Sequence, residues 1–375
     1  MRAMSKTAGP RPWKLAYLAA WSLAVEVVLA ACGGAAAGPP ASSSTPKPAT
    51  SASAASAPAA SAAAVSSAPQ RAASTAANGA PPTGSIKLGF SQPGVGYGPF
   101  FAGKDAGFFS KNGLDVSLQQ VNGPAAVPAL LANEVQMDGF GANELSRAVL
   151  AGAPLVGIAT LGDLPVFMLY ADKKYPTVLD LVGQTVGVTA IGSSTDVTAR
   201  LFLDHYGLLD KVKIAAVGGT IATELAALTQ GVAAAVIVSP DAGVQAAKAG
   251  FIPIVDGVKL GVPLNFSVIA VTTTYLKDHP DTVKAVLRAY QQAWTYLGDP
   301  ANKSAALDLL AKNTQGQPDA VEVGYTAWVQ IWSGQKVPTI NPQGIDNTLK
   351  FADDPKARAA KGEQFIDNSI LQSIQ

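Results

Sequence analysis

The stretch SIKLGFSQPGVGYGPFFAGKDAGFFSKNGLDV, residues 85–116, reads as an apolar strand, a glycine-rich loop, a short helix and a second strand. Its loop, QPGVGYGP at 92–99, follows the carboxyl end of the first strand, where open α/β sheets place their ligands. Three explanations compete for the glycines: a phosphate cradle, a solute-binding loop, or a strained connection. The spacing Gly94-x-Gly96-x-Gly98 is not the dinucleotide fingerprint, and no Gly-Lys-Ser/Thr phosphate loop occurs in the chain.

Upstream of this stretch the composition changes. Residues 33–84 are almost entirely Ala, Ser, Pro, Gly and Thr, with Lys47 and Arg71 as the only charges and no aromatic ring. Such a segment buries too little apolar area to offset the entropy of ordering. It reads as a flexible tether, about 40 Å from end to end as a random coil. Before it, Arg2, Lys6, Arg11 and Lys14 precede an apolar run at 15–31, the layout of a secretory signal. A plain membrane-anchoring helix is the competing reading of that run, which sits near the lower length limit for a span. Glu26 interrupts it, at a cost to either reading.

Downstream, apolar strand-like runs alternate with helical periodicity, the signature of an α/β protein. The pattern occurs twice. An offset of 98 positions superimposes Gly89 on Gly187, Gly94 on Gly192, residues 114–116 on 212–214, Leu130 on Leu228 and Ala148 on Ala246. The expected architecture is therefore two similar α/β lobes, with the chain crossings between them forming a hinge. The expected boundaries are a signal at 1–31, a tether at 32–84, lobe 1 at 85–181, lobe 2 at 182–264, and a return strand with carboxyl-terminal helices at 265–375. Those last helices are expected to pack mainly on lobe 1. The run LPVFMLY, starting at Leu164, is taken as the last strand of lobe 1. Asp278-His279-Pro280-Asp281 marks a helix start, and Val283, Val286, Leu287, Tyr290, Trp294 and Leu297 share one face of the helix that follows. A further helix is expected over 319–332, with Val321, Tyr325, Trp328 and Trp332 on one side.

A formal charge of +1 with 14% charged residues gives no basic field for nucleic acid. Cys32 is the only cysteine, and His205 and His279 are the only histidines, so no metal site and no cofactor are expected. The segment GSSTD at 192–196 lacks the final glycine of a nucleophile elbow. No catalytic residue is assigned, and the chain is not expected to be an enzyme.

Several motifs together resemble one family. They are YGPF at 97–100, AGFF at 106–109 followed by NGLDV at 112–116, ALLANEVQM at 129–137, LDLVGQTVGV at 179–188, GSST at 192–195 and YLKDHPD at 275–281. In this order they resemble the periplasmic-type solute-binding proteins of ABC importers, in the group that binds aliphatic sulfonates, taurine, nitrate and thiamine precursors. The chain departs from the group at Asn133, Gln136 and Ala234, positions where glycine or aspartate is usual; these look structural. The end of the apolar run, LAACG at 29–33, resembles a lipoprotein signal with Cys32 as the lipidated residue.

The resemblance implies a periplasmic-binding-protein fold of type 2 with a ligand cleft between the two lobes, a small-molecule ligand (sulfonate, nitrate, carboxylate or pyrimidine-like), an ABC permease as partner, a lipid anchor in a membrane facing the extracytoplasmic side, and a monomer. A sensory module signalling to a membrane partner is the alternative function, and a thiamine-pyrimidine-type enzyme a more distant one. The loops at the strand ends supply the candidate ligand contacts: Tyr97, Phe100, Asn143, Gly192, Ser193, Ser194, Thr195 and Asp241. Each has a bland reading. Tyr97 and Phe100 wall a solute or pack on the next helix. Asn143, Ser194 and Thr195 bind a ligand or cap a helix. Asp241, if it faces the cleft, favours an amine and opposes a bare anion.

Overall fold

Inward residues Ile86 and Leu88 alternate with exposed Ser85 and Lys87, so the first strand is half-buried at its start and fully buried at its end. A computed structural model describes residues 84–374 apart from 122 and 266, all within the compact unit Thr75–Gln375. The signal, tether and lipidation assignments, Cys32 included, lie outside the described residues.

Ten strands occur among the described residues: β1 Ser85–Phe90, β2 Asp115–Gln120, β3 Met137–Phe140, β4 Leu155–Thr160, β5 Met168–Ala171, β6 Thr185–Val188, β7 Lys213–Ala216, β8 Ala235–Val238, β9 Ile252–Asp256 and β10 Val268–Thr272. The helices of eight residues or more are α1 Gly98–Asp105, α2 Gly123–Leu131, α3 Ala142–Leu150, α4 Ser194–His205, α5 Ile221–Thr229, α6 Pro240–Lys248, α7 Pro280–Gly298, α8 Lys303–Thr314, α9 Pro318–Gly334 and α10 Pro342–Leu349.

The strands form two five-stranded sheets of one topology, β2-β1-β3-β10-β4 and β7-β6-β8-β5-β9. In each sheet the first three strands run parallel and the fourth, β10 or β5, is antiparallel to its neighbours. The duplication seen in the sequence is present in the elements: β2 and β7, α2 and α5, β3 and β8, and α3 and α6 each begin 98 positions apart.

The antiparallel strands correct one expectation. The run from Leu164 does not close lobe 1, because β5 crosses over and lies between β8 and β9, with Leu169 opposite Ile237 and Tyr170 opposite Val236. Leu169 and Tyr170 then fill opposite faces of the second sheet. Lobe 1 obtains its fourth strand from β10, after the chain has traversed lobe 2. Periodicity shows that such a run is a buried strand and carries no information about which sheet receives it.

The long helix α7 buries Val283, Val286, Leu287, Tyr290, Trp294 and Leu297, the face read from its spacing, in the main core with α1 and α9. Pro280 occupies its first turn, where a missing amide costs nothing. Helix α9 buries Val321, Tyr325, Trp328 and Trp332. It touches both lobes: a Cβ on Gly324 would lie 2.8 Å from Val95 and 3.4 Å from Asp241 at the start of α6. At the residues where the chain departs from the related group, Asn133 adopts a left-handed φ of 56° and the Gln136 side chain accepts from the Lys87 amide. Both roles are structural.

Candidate functional site

In a parallel sheet, helices that follow the strands all begin along the same edge. Helix α3 follows β3 in the first sheet, and α4, α5 and α6 follow β6, β7 and β8 in the second. The two edges meet at the seam between the lobes. There Asn143 Nδ2 donates to the carbonyl of Gly192 at 2.6 Å, joining the start of α3 to the loop before α4. A side chain at Gly141 would meet Ser194 Oγ at 3.2 Å, so the two loops lie in contact. Lys350, just after α10, adds an ion pair to Asp204 of α4 at 2.6 Å. Lys248 of α6 pairs with Asp319 of α9, also at 2.6 Å.

The loop of lobe 2 is held by its own polar groups. Gly192, at φ 78°, donates its amide to Asp196 Oδ2 at 2.8 Å. Ser193 is the N-cap: its hydroxyl donates to the Ala190 carbonyl at 2.7 Å and accepts from the Asp196 amide at 3.4 Å. Thr195 is buried and its hydroxyl accepts from the Thr189 amide at 2.9 Å. Asp196 is itself buried and receives Arg200 at 3.0 Å. Helix α3 is capped in the same manner, Gly141 donating to Glu144 Oε2 at 3.2 Å. Burial pushes the Glu144 carboxyl up in pKa, against the Gly141 amide and Arg147.

Behind Glu144 lies Asp138 of β3. It is fully buried, and no hydrogen bond reaches either carboxyl oxygen. Burial, reinforced by the Glu144 charge and offset in part by the nearby Gly139 amide, pushes its pKa up to about 7. Glu224, in the first turn of α5, is 4% exposed and is pushed by burial to about 8.

Among the residues expected to contact a ligand, the seam brings together Asn143, Gly192, Ser193 and Ser194. A cavity of about 10 Å³, room for one water, opens beside Asn143 and Ser194 and is closed by Phe167, Thr198, Asn265 and Thr348. Asp241 is half-buried at the start of α6, facing Gly324 of α9. Tyr97 and Phe100 lie elsewhere. Phe100 is 1% exposed and packs on Tyr97 and Tyr290. Tyr97 donates to the Gly139 carbonyl at 2.8 Å, and burial pushes its hydroxyl up to about 12. The glycines of the opening loop serve packing: a Cβ on Gly96 would meet Trp328 at 2.5 Å, and one on Gly98 would crowd Leu297 at 3.0 Å.

Sequence reasoning missed Phe167, Asn265 and Thr348. Asn265 donates to the Asn341 carbonyl at 2.7 Å and receives Thr160 Oγ1 at 3.3 Å, which ties the return crossing to lobe 1. The one available signal was position: Phe167 and Asn265 flank the two crossings between lobes.

Residues 96–303 match the family model described as NMT1/THI5 like. The chain belongs to that family. Three solved structures share the fold of this NMT1/THI5-like chain. The periplasmic aliphatic sulphonate binding protein SsuA from Escherichia coli has a TM-score of 0.61 at 19% identity, over 77% of this chain and 99% of that one. The alkanesulfonate-binding protein SsuA from Xanthomonas axonopodis pv. citri, bound to MOPS, gives 0.57 at 18%, over 79% and 99%. The periplasmic nitrate-binding protein NrtA from Synechocystis PCC 6803 gives 0.58 at 13%, over 79% and 89%. Comparison by sequence with curated proteins gives no match. The fold expected from the sequence, two similar lobes of the periplasmic-binding-protein kind, is the fold observed.

Among the described residues no helix is long and apolar enough to cross a membrane, and no group of three or more His, Cys, Asp or Glu could hold a metal ion.

Proposed function

We propose that this protein is the solute-binding component of an ABC importer: it captures a small molecule between its lobes and presents the closed form to a membrane permease. The observation that carries the reading is the hydrogen bond from Asn143 to Gly192, which joins the strand-end loops of two duplicated lobes at the place where a solute held by both would sit. Two crossings, after β4 and after β9, connect the lobes and serve as the hinge. A solute that contacts both lobes stabilises the closed form by its differential affinity, and closure becomes a report of occupancy.

Asn143, Gly192, Ser193, Ser194, Thr195 and Asp241 are the proposed binding set. Tyr97 and Phe100 support the lobe 1 loops from the core. The related folds named for sulfonate and nitrate binding are in keeping with this reading. Cys32 is the proposed point of lipid attachment, placing a monomeric module on the extracytoplasmic face of a membrane at the end of its tether.

Native mass spectrometry of the protein for a co-purified small molecule, followed by uptake of that molecule in cells lacking the gene, tests the assignment. Loss of uptake is expected. Normal uptake would sink the importer role and favour a sensory one. Cys32→Ser should move the protein from the membrane fraction to the soluble one.

A further inference from the structure

The duplication extends to the strand-start edges of the two sheets, the ends away from the seam, with one difference. In lobe 1 a carboxamide closes this edge: Gln136 Oε1 accepts from the Lys87 amide at 2.9 Å, and Gln136 Nε2 donates to the carbonyl and Oδ1 of Asn133, both at 3.2 Å. The offset of 98 places Thr185 at Lys87, Gly231 at Asn133 and Ala234 at Gln136. The backbone around these three positions is kept. Gly231 has a left-handed φ of 69° against 56° for Asn133, and Ala234 donates its amide to the Thr185 carbonyl at 2.8 Å as Gln136 does to Lys87 at 3.0 Å. The strands then pair in one register, Leu88 with Met137 and Val186 with Ala235. What lobe 2 lacks is the carboxamide, and the Ala234 methyl offers the Thr185 amide no acceptor.

A cavity of about 90 Å³ occupies the corresponding place in lobe 2, where Thr185, Gly231 and Ala234 line it together with Asp172, Lys174, Tyr175 and Gln184. It is larger than the seam cavity of about 10 Å³. Its other walls are polar groups with hydrogen-bonding capacity to spare. Tyr175 donates to Gln184 Oε1 at 2.8 Å, which engages the oxygen of that side chain and leaves its NH2 group to donate. Asp172 Oδ1 accepts from the Lys174 amide at 3.0 Å, and the carboxylate keeps further lone pairs. Lys174 Nζ lies 3.9 Å from Asp172 Oδ2 and 5.1 Å above the Tyr175 ring. The acid and the ammonium balance, so the cavity gains little from an ion. It presents donors and acceptors together, which a primary carboxamide answers with its own C=O and NH2. Val232, exposed at the wall, adds apolar surface for an alkyl stem.

From this arrangement we infer that the cavity is a second binding site, at the outer end of lobe 2, for a primary carboxamide group on a short alkyl stem. It is separate from solute capture at the seam and does not depend on it. Amide NMR of the purified, isotope-labelled protein tests it, with propionamide as the probe and propionate and propylammonium as charged counterparts of the same size. The signals of Thr185 and Gly231 should move saturably with propionamide, with a Kd of about 1 mM for so small a ligand, and should stay still with the charged pair. Ala234→Gln carries the lobe 1 carboxamide into the cavity, so it should raise Tm and abolish the shifts. Asp172→Ala removes an acceptor and should weaken binding about fivefold, the scale of one hydrogen bond, which keeps the test open if Ala234→Gln folds poorly. An acetylated Gly-Gln-Gly peptide that binds more tightly than propionamide would place the carboxamide on a protein partner, and weaker binding would place it on a free small molecule. Shifts that do not saturate, that are equal for all three small probes, or that persist in Ala234→Gln would leave the cavity to water and overturn the inference.

Discussion

The carboxyl group of Asp138 occupies the space that a side chain on Gly89 would need, the two residues being direct partners in the parallel pairing of β1 with β3. Gly89 is therefore glycine for packing and not for backbone freedom. Gly89→Ala should cost about 2 kcal/mol, in the range of overpacked cores, read as a drop in the denaturation midpoint. Asp138→Ala in the same chain should restore most of it. Additive losses in the double variant would show that the two side chains do not compete.

The same carboxyl makes stability depend on pH. Its pKa rises from the ordinary 3.8 to about 7 on folding. The folded chain thus holds a proton that the unfolded chain releases, so this contribution is fully present at acid pH and is lost as pH rises from about 4 to 7. Asp138→Asn keeps the shape and removes the charge. At pH 8 the variant should melt several degrees above the parent, and its Tm should vary less between pH 4 and 7. A parallel pH profile in the two proteins would mean that Asp138 is solvated in solution.

Asn143→Ala removes the donor that reaches Gly192 and leaves the fold of each lobe intact. The closed state should lose about 1 kcal/mol, the typical net worth of one hydrogen bond. A larger radius of gyration in X-ray scattering and a several-fold loss of apparent affinity are the expected readings. Unchanged scattering and affinity would make the contact incidental.

Gly324→Leu places a side chain between Val95 and Asp241, where α9 meets lobe 1 and α6 at once. The cheapest response is to move α6 away, which opens the lobes. Spin labels on α6 and α3 should report a longer distance and weaker solute binding, with a modest fall in Tm. By contrast, Lys248→Ala breaks an exposed ion pair to Asp319 and should change stability little.

Much of the fold is legible in the sequence because its signals are local. The buried stripe from Val283 to Leu297 follows from helical spacing alone, and the offset of 98 follows from a repeated order of elements. The destination of β5 is not local: Leu169 and Tyr170 read as a buried strand in either lobe, and only the assembled sheet decides between them. The site divides in the same way. Asn143 and Ser193 are recognisable as cap-forming types at strand ends, and both stand at the seam. Tyr97 and Phe100 admit two readings in the sequence, ligand wall or core, because aromatic residues beside a glycine loop serve equally well as either; in the structure both are buried, Phe100 against Tyr290 of α7. Phe167, Asn265 and Thr348 meet in one cavity from three distant stretches, which no spacing rule would join.

The exchanged antiparallel strands have a consequence for dissecting the molecule. A cut between β5 and β6 would leave an amino-terminal piece holding a strand that belongs to the other half, and a carboxyl-terminal piece holding β10 in return. Neither piece owns a complete sheet, so each should be insoluble or unfolded alone, and mixing should regenerate both sheets together. The protein is thus a natural starting point for a two-fragment reporter in which each fragment completes the other's sheet.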